Sequence, residues 1–366
     1  MAAGRGWRWL IGLAAALSAW PAAARLPRPL DGATLYPRLI EVRHNPRLRG
    51  QVLLATLAGI RRSRDGGVSW MPLSPVPEPA GTAERCCGTI YELPRTVGAL
   101  PAGTLLYAAT YHLGARTAIR IFRSDDGVRW RPHSEVASGG SFGKGVWEPQ
   151  FDLAADGALV VFWSDEGDDC CSQKLRRARS IDGETWRDAG DLVRGLARAE
   201  RPGMATTARL PDGRYAMTYE NCGPAACAVF IRFSRDGWTY GDPLDPGSAI
   251  KTAAGEHLEH APTIAWSPVP GRRRGALVVV GQMVVQAGGR ASPRNGRVLL
   301  VNAAGGVGPW QTIAAPVPVP GATNNYCPNY SSALLAQGRS LLMVASAYDP
   351  AGRCRAYAGR GSIQVR

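Results

Sequence analysis

Lysine is nearly missing from this chain: of its 43 basic residues only Lys144, Lys174 and Lys251 are lysines, and arginines spread along the whole length supply the rest. The formal net charge of +14 thus comes with no basic stripe interleaved with aromatics, so no nucleic-acid partner is expected. Histidine is equally scarce, with five residues at no metal-ligand spacing, and no CxxC pair occurs. Neither a metal nor any other cofactor is therefore expected. No amphipathic helical stretch of convincing length appears beyond the first residues, which excludes helix bundles and βαβ folds. Nor does any later segment approach the about 18 apolar residues of a membrane span.

The first residues read as an export signal. Arg5 and Arg8 give a basic start, Leu10 to Trp20 is apolar, and Ala22-Ala23-Ala24 offers a cleavage site, the three parts of a secretory leader. Residues 1–24 are expected to be removed and 25–366 to form one domain, secreted or periplasmic, monomeric, and free of the membrane after cleavage. In an exported chain eight cysteines point to disulfides rather than to zinc. Cys222 and Cys227 are close enough for a local loop, and Cys327 and Cys354 could staple the chain's end; the vicinal pairs Cys86-Cys87 and Cys170-Cys171 have no evident partners.

What is abundant is a repeat. Six times a glycine precedes an apolar, β-rich run: Gly50-QVLLAT, Gly103-TLLYAAT, Gly157-ALVVFWS, Gly213-RYAMTYE, Gly275-ALVVVGQ and Gly338-RSLLMVA, at steps of 53, 54, 56, 62 and 63 residues. Another strand-like segment stands before each, starting at Tyr36, Gly88, Trp147, Gly203, Ala261 and Asn329, so each unit contains a hairpin. Downstream, Ser63-RDGGVS-Trp70, Ser124-DDGVR-Trp130, Ser180-IDGET-Trp186 and Ser234-RDGWT-Tyr240 share the order Ser, Asp, Gly, aromatic, and fall 13, 21, 23 and 21 residues after their glycines, three of the four in almost one register. The chemistry suits a structural turn: Asp caps backbone amides, Gly takes φ > 0, and the aromatic plugs between sheets. These are Asp boxes, to which no catalysis is assigned. Four strands per unit and six units without helices predict an all-β, six-bladed β-propeller with Asp-box repeats, the boxes of the last two blades being indistinct.

In such a fold the start of each first strand and the end of each second strand emerge on one face. First-strand starts supply Arg38, Cys87, Glu148, Arg201, His260 and Asn329 with Tyr330; second-strand ends supply Tyr111, His112, Asp165, Glu166, Glu220, Asn221, Gln282, Tyr348 and Asp349. Glu148 and Glu220 belong to neighbouring blades, and two carboxyls flanking one sugar bond are what a glycosidase needs: one protonated to assist the leaving oxygen, one ionised to attack. Arg38, Trp147, Arg201, Asn221, His260, Asn329 and Tyr348 are the expected substrate-binding residues around them.

Gly145-VWEPQF, Arg201-PGMATTARLPDGRYAMTYENCG and Cys327-PNYSSALL together resemble glycoside hydrolase family 93, the exo-1,5-α-L-arabinanases, within the sialidase-like propellers. The resemblance covers most of the mature chain as a pattern. It implies an exo-acting, retaining enzyme on α-1,5-linked arabinan, with a poly- or oligosaccharide as partner. It further implies Glu220 as nucleophile, Glu148 as general acid/base and Tyr330 as a tyrosine assisting the nucleophile. A sialidase is the runner-up, but it needs three arginines on one carboxylate, and the first-strand starts provide only Arg38 and Arg201. A non-catalytic glycan-binding propeller is the alternative from another class; it has no use for the carboxylate pair.

Overall fold

In a computed structural model, which describes residues 29–33 and 35–365, the described residues form six antiparallel sheets and no helix. The proposed leader lies outside the described residues. The expected propeller is present. Blade one runs Arg38–Glu41, Val52–Thr56, Gly59–Ser63 and Met71–Ser74; blade two runs Glu84–Glu92, Leu105–Leu113, Arg116–Ser124 and Arg131–Gly139. Blade three is Val146–Leu153, Leu159–Asp165, Lys174–Ser180 and Arg187–Val193. The short strands of blade one explain why its Ser-Asp turn follows its glycine so closely.

Blade four starts regularly with Arg201–Arg209, Tyr215–Cys222 and Ala228–Ser234, but its outer edge is built from Ser248–Ala249 and His257–Glu259. His257–Glu259 in turn pairs with Met283–Val285, an insertion between the second and third strands of blade five (Thr263–Val269, Arg272–Val280, Val298–Asn302, Gln311–Ala314). That insertion lengthens the last step of the repeat, and the edge strands Ser248–Ala249 and His257–Glu259 lengthen the step before it. Blade six has Ala333–Gln337, Ser340–Tyr348 and Cys354–Ser362, and its fourth strand is Pro29–Ala33, from the other end of the chain. The ring is thus closed by hydrogen bonds between its first and last strands.

Second strands are buried on both faces, as in Leu159–Asp165, which explains their unbroken apolar runs. Between successive blades lie separate apolar clusters, such as Leu53, Tyr107 and Phe122 between blades one and two, or Phe162, Met217 and Tyr219 between three and four. The Ser-Asp-Gly turns lock the third strands. Asp182 accepts the amides of Glu184 (2.8 Å) and Thr185 (2.7 Å) and the hydroxyl of Ser180 (2.7 Å), while the indole of Trp186 reaches Ser134 of blade two at 3.1 Å. Gly67, at φ 97°, lies so near Leu342 of blade six that a Cβ would come within 2.6 Å of it. Blade five carries an unrecognised counterpart: Asn302 accepts the amides of Ala304 (2.8 Å) and Gly306 (2.9 Å), and its motif lacks the Ser and Asp that betray the others. Asp182→Ala is expected to cost about 1–2 kcal/mol, the loss of one multiply used cap. Thermal melting should register it with kcat unchanged.

All four disulfides lie within single blades or loops: Cys222–Cys227 and Cys327–Cys354, as spacing suggested, and the vicinal pairs Cys86–Cys87 and Cys170–Cys171, which bond to each other.

Candidate active site

Each blade begins its innermost strand with a residue in the left-handed region: Tyr36 (φ 58°), Cys87 (60°), Glu148 (60°), Met204 (56°), Ala261 (46°) and Ser331 (50°). Such backbone costs about 1–3 kcal/mol per non-glycine residue and persists only where its surroundings demand it. In blades two, three and four it coincides with a register shift, between Cys86 and Thr89, Trp147 and Gln150, and Gly203 and Thr206. Bulges of this kind re-aim a side chain. Four of the left-handed residues, Tyr36, Cys87, Met204 and Ala261, pack together with Leu35 and Tyr330 in one apolar cluster.

Glu148 is the axial residue of blade three. Its Oε2 accepts the Ser164 hydroxyl at 2.7 Å and the Met204 amide at 3.0 Å. Glu220 comes from the end of the second strand of blade four, and its Oε2 accepts the Ala261 amide at 2.5 Å. Both carboxyls line one pocket of about 440 Å³ with Gln173, Arg201, His260, Asn325, Tyr326 and Tyr330. Burial raises the pKa of Glu148, opposed by its two hydrogen bonds and by Arg201. Burial raises Glu220 further, to about 8, and the negative charge of Glu148 adds to the rise. Burial of both carboxyls and the repulsion between their charges therefore oppose double ionisation, so the pair tends to hold one proton between them. The phenol of Tyr330 is pushed well above its ordinary value by burial and by both carboxylates, so it stays protonated, its hydroxyl 3.4 Å from the Met204 sulfur.

Linkage gives this a signature. A carboxyl whose folded pKa is about 8 binds its proton more tightly in the folded than in the unfolded state, so stability falls as pH rises from about 4.3 toward 8. Glu220→Gln, which cannot ionise, is expected to melt a few degrees above the parent at pH 8 and level with it at pH 4. Equal melting temperatures at both pH values would contradict the buried proton.

Arg201 is held by Glu166, whose Oε1 accepts its guanidinium at 2.5 Å. The other oxygen of Glu166 accepts the Trp147 indole (2.8 Å) and the amides of Gly143 (3.0 Å) and Gly145 (3.2 Å). Burial would raise the Glu166 pKa, but Arg201 and Trp147 outweigh it and hold the carboxyl below its usual range.

Of the residues expected from sequence, Glu148, Arg201, Glu220, His260 and Tyr330 meet in this pocket. Trp147 sits behind it on Glu166, and Arg38 stacks on the Tyr36 ring at 4.1 Å, bonded to the carbonyls of Pro37 and Ser331. Asn329 is a buried brace that donates to the carbonyls of Gly281 and Gln282. Tyr348 is exposed and donates to Asn325 at 3.1 Å, while Asn221 is buried beside the pocket wall. Gln173, Asn324, Asn325 and Tyr326 enter from loops and have no motif. Among the described residues, Cys222, Cys227 and His260 group potential ligand atoms within 4.8 Å, but both sulfurs are spent in a disulfide. A larger groove of about 940 Å³ between blades five and six has no acidic residue in its lining.

No known protein-family model matches the chain, and no curated protein is significantly similar in sequence. Solved structures are similar in fold. The family GH93 α-L-arabinofuranosidase of Fusarium graminearum, determined with arabinobiose, superposes with a TM-score of 0.76 at 24% identity, over 92% of this chain and 96% of that one. The α-L-arabinanase of Penicillium chrysogenum, also complexed with arabinobiose, gives 0.76 at 26% identity over the same shares. The chain is thus similar to family 93 propellers over nearly its whole length.

Proposed function

We propose that this chain is a secreted, monomeric glycoside hydrolase that cleaves α-1,5-linked arabinan from a chain end with retention of configuration. The observation that carries the reading is the Glu148–Glu220 pair, two carboxyls of raised pKa facing one pocket at a blade boundary. The likeness to arabinanase structures holding arabinobiose supports the substrate class. Action at a chain end is what the resemblance to family 93, the exo-1,5-α-L-arabinanases, implies. Four disulfides fit an oxidising compartment.

In the proposed mechanism Glu220 attacks the anomeric carbon and Glu148 protonates the leaving oxygen, then deprotonates the water that releases the sugar. Double displacement requires the pair's one proton on Glu148 and Glu220 ionised, an arrangement that positive charge developing at the anomeric carbon stabilises in the transition state. Arg201 and the neutral phenol of Tyr330 steady the pair.

A panel of polysaccharides and aryl glycosides tests the reading. Arabinobiose or arabinose from linear 1,5-arabinan is the expected product, and sialic acid released from a fluorogenic sialoside with arabinan untouched would overturn it. The same assay predicts a pH profile: kcat/KM should fall above about pH 8, where the pair loses its proton.

A further inference from the structure

Beside Glu220 lies a disulfide that the mechanism has not used. Cys222 follows Glu220 by two residues on the same strand, and its sulfur is 3.6 Å from Oε1 of that carboxyl. The loop it closes to Cys227 is short, spanning a separation of five residues, and so small a loop restrains the unfolded chain least. Its local geometry is costly instead. Ala226 (φ 52°) and Cys227 (φ 60°) are both left-handed, as are His260 (φ 59°) and Ala261 (φ 46°) in the segment packed against them.

The two pairs are connected. The Cys227 carbonyl accepts the His260 amide at 3.0 Å, the His260 carbonyl accepts the Gln282 amide at 2.8 Å, and the Ala261 amide is the hydrogen bond on Glu220. The imidazole of His260 lies against the two sulfurs. On the other side, Cys222 pairs across the sheet with Arg201, the cation of the pocket.

We propose that the Cys222–Cys227 disulfide is a positioning element of the reaction, fixing the Cys227 carbonyl so that His260 and Ala261 hold their left-handed turn and keep the Ala261 amide on Glu220. The proposal rests on the reading of Glu220 as a reacting carboxyl. Without the cross-link, Cys227 and His260 relax toward ordinary backbone angles, and the amide swings away from the carboxyl. Asn325, Tyr326 and Tyr330 line the pocket from another part of the chain and are left in place, so binding suffers less than turnover.

Two double variants test this on linear 1,5-arabinan. Cys222→Ala/Cys227→Ala is expected to fold, to lose tenfold or more in kcat, and to keep KM within about twofold. Cys222→Ala/Cys227→Gly also lacks the bond, but glycine takes φ near 60° at no steric cost, so it should recover most of the lost kcat. An unchanged kcat in the alanine pair, equal losses in both variants, or failure of the alanine pair to fold would each overturn the positioning role. If the parent cleaves nothing on the glycan panel, the hydrolase reading has failed instead. A crystal structure of the alanine pair then decides the role on its own: the Ala261 amide displaced from Glu220 supports it, and an unmoved amide overturns it.

Discussion

Glu148→Gln and Glu220→Gln are each expected to fold as the parent does and to lose about 10³-fold in kcat, within the span that proton transfer and covalent catalysis supply. Glutamine keeps the shape and can still bond to Ser164 or to the Ala261 amide. It can neither attack nor carry the shared proton. The two residues are distinguishable by added azide with an activated aryl arabinoside. In Glu220→Gly, azide occupies the vacated face and yields the inverted glycosyl azide. In Glu148→Gly, the covalent intermediate still forms, and azide opens it to the retained product. The exchanged pattern would make Glu148 the nucleophile. Full activity in both variants would end the mechanism.

Glu166→Ala carries the second large effect. The side chain of Glu166 is 2% exposed, and its removal strands the Trp147 indole, two backbone amides and one side of the Arg201 guanidinium. Breaking a buried network of this kind costs about 2–4 kcal/mol. Arg201 also loses its anchor beside the carboxyl pair, and a tenfold or larger fall in kcat/KM is expected with it. The sign with pH follows from a depressed pKa: the network's contribution is present above about pH 4.3 and fades as pH falls through the folded value. The gap in melting temperature between the parent and Glu166→Gln should therefore be wide at pH 7 and narrow below pH 4. A gap independent of pH would show that the ion pair contributes nothing.

Sequence made the scaffold legible where chemistry repeats. A glycine before each doubly buried second strand and a Ser-Asp-Gly turn after four of the third strands are local requirements of the hairpins, and they recur in phase. The closing strand Pro29–Ala33 was illegible for the opposite reason. Its residues, PLDGA, have poor β-propensity, and only pairing with Cys354–Ser362 makes them a strand. The Asn302 turn escaped because an amide does there what Ser and Asp do elsewhere.

In the site, the rule of strand starts and ends located the carboxyls because both sit where a strand meets the pocket. It was less sharp for their neighbours, since adjacent residues of a strand point to opposite faces. Trp147 turns away from the pocket that Glu148 enters, as Asn221 turns from that of Glu220. Tyr36 was passed over although a visible hint marks it. Tyr36, Glu148 and Ala261, three of the six axial residues, each precede a proline, a context that restricts the backbone before it. Gln173, Asn324, Asn325 and Tyr326 come from loops whose path only the folded chain defines.

The stereochemistry of the first product tests the central claim most directly. Linear 1,5-arabinan digested in an NMR tube with the parent protein should release a sugar whose new reducing end is first the α anomer, with mutarotation following. Neither Glu148→Gln nor Glu220→Gln should release it at a comparable rate. First appearance of the β anomer, or no release from arabinan at all, would contradict a Glu148–Glu220 pair that cleaves by double displacement.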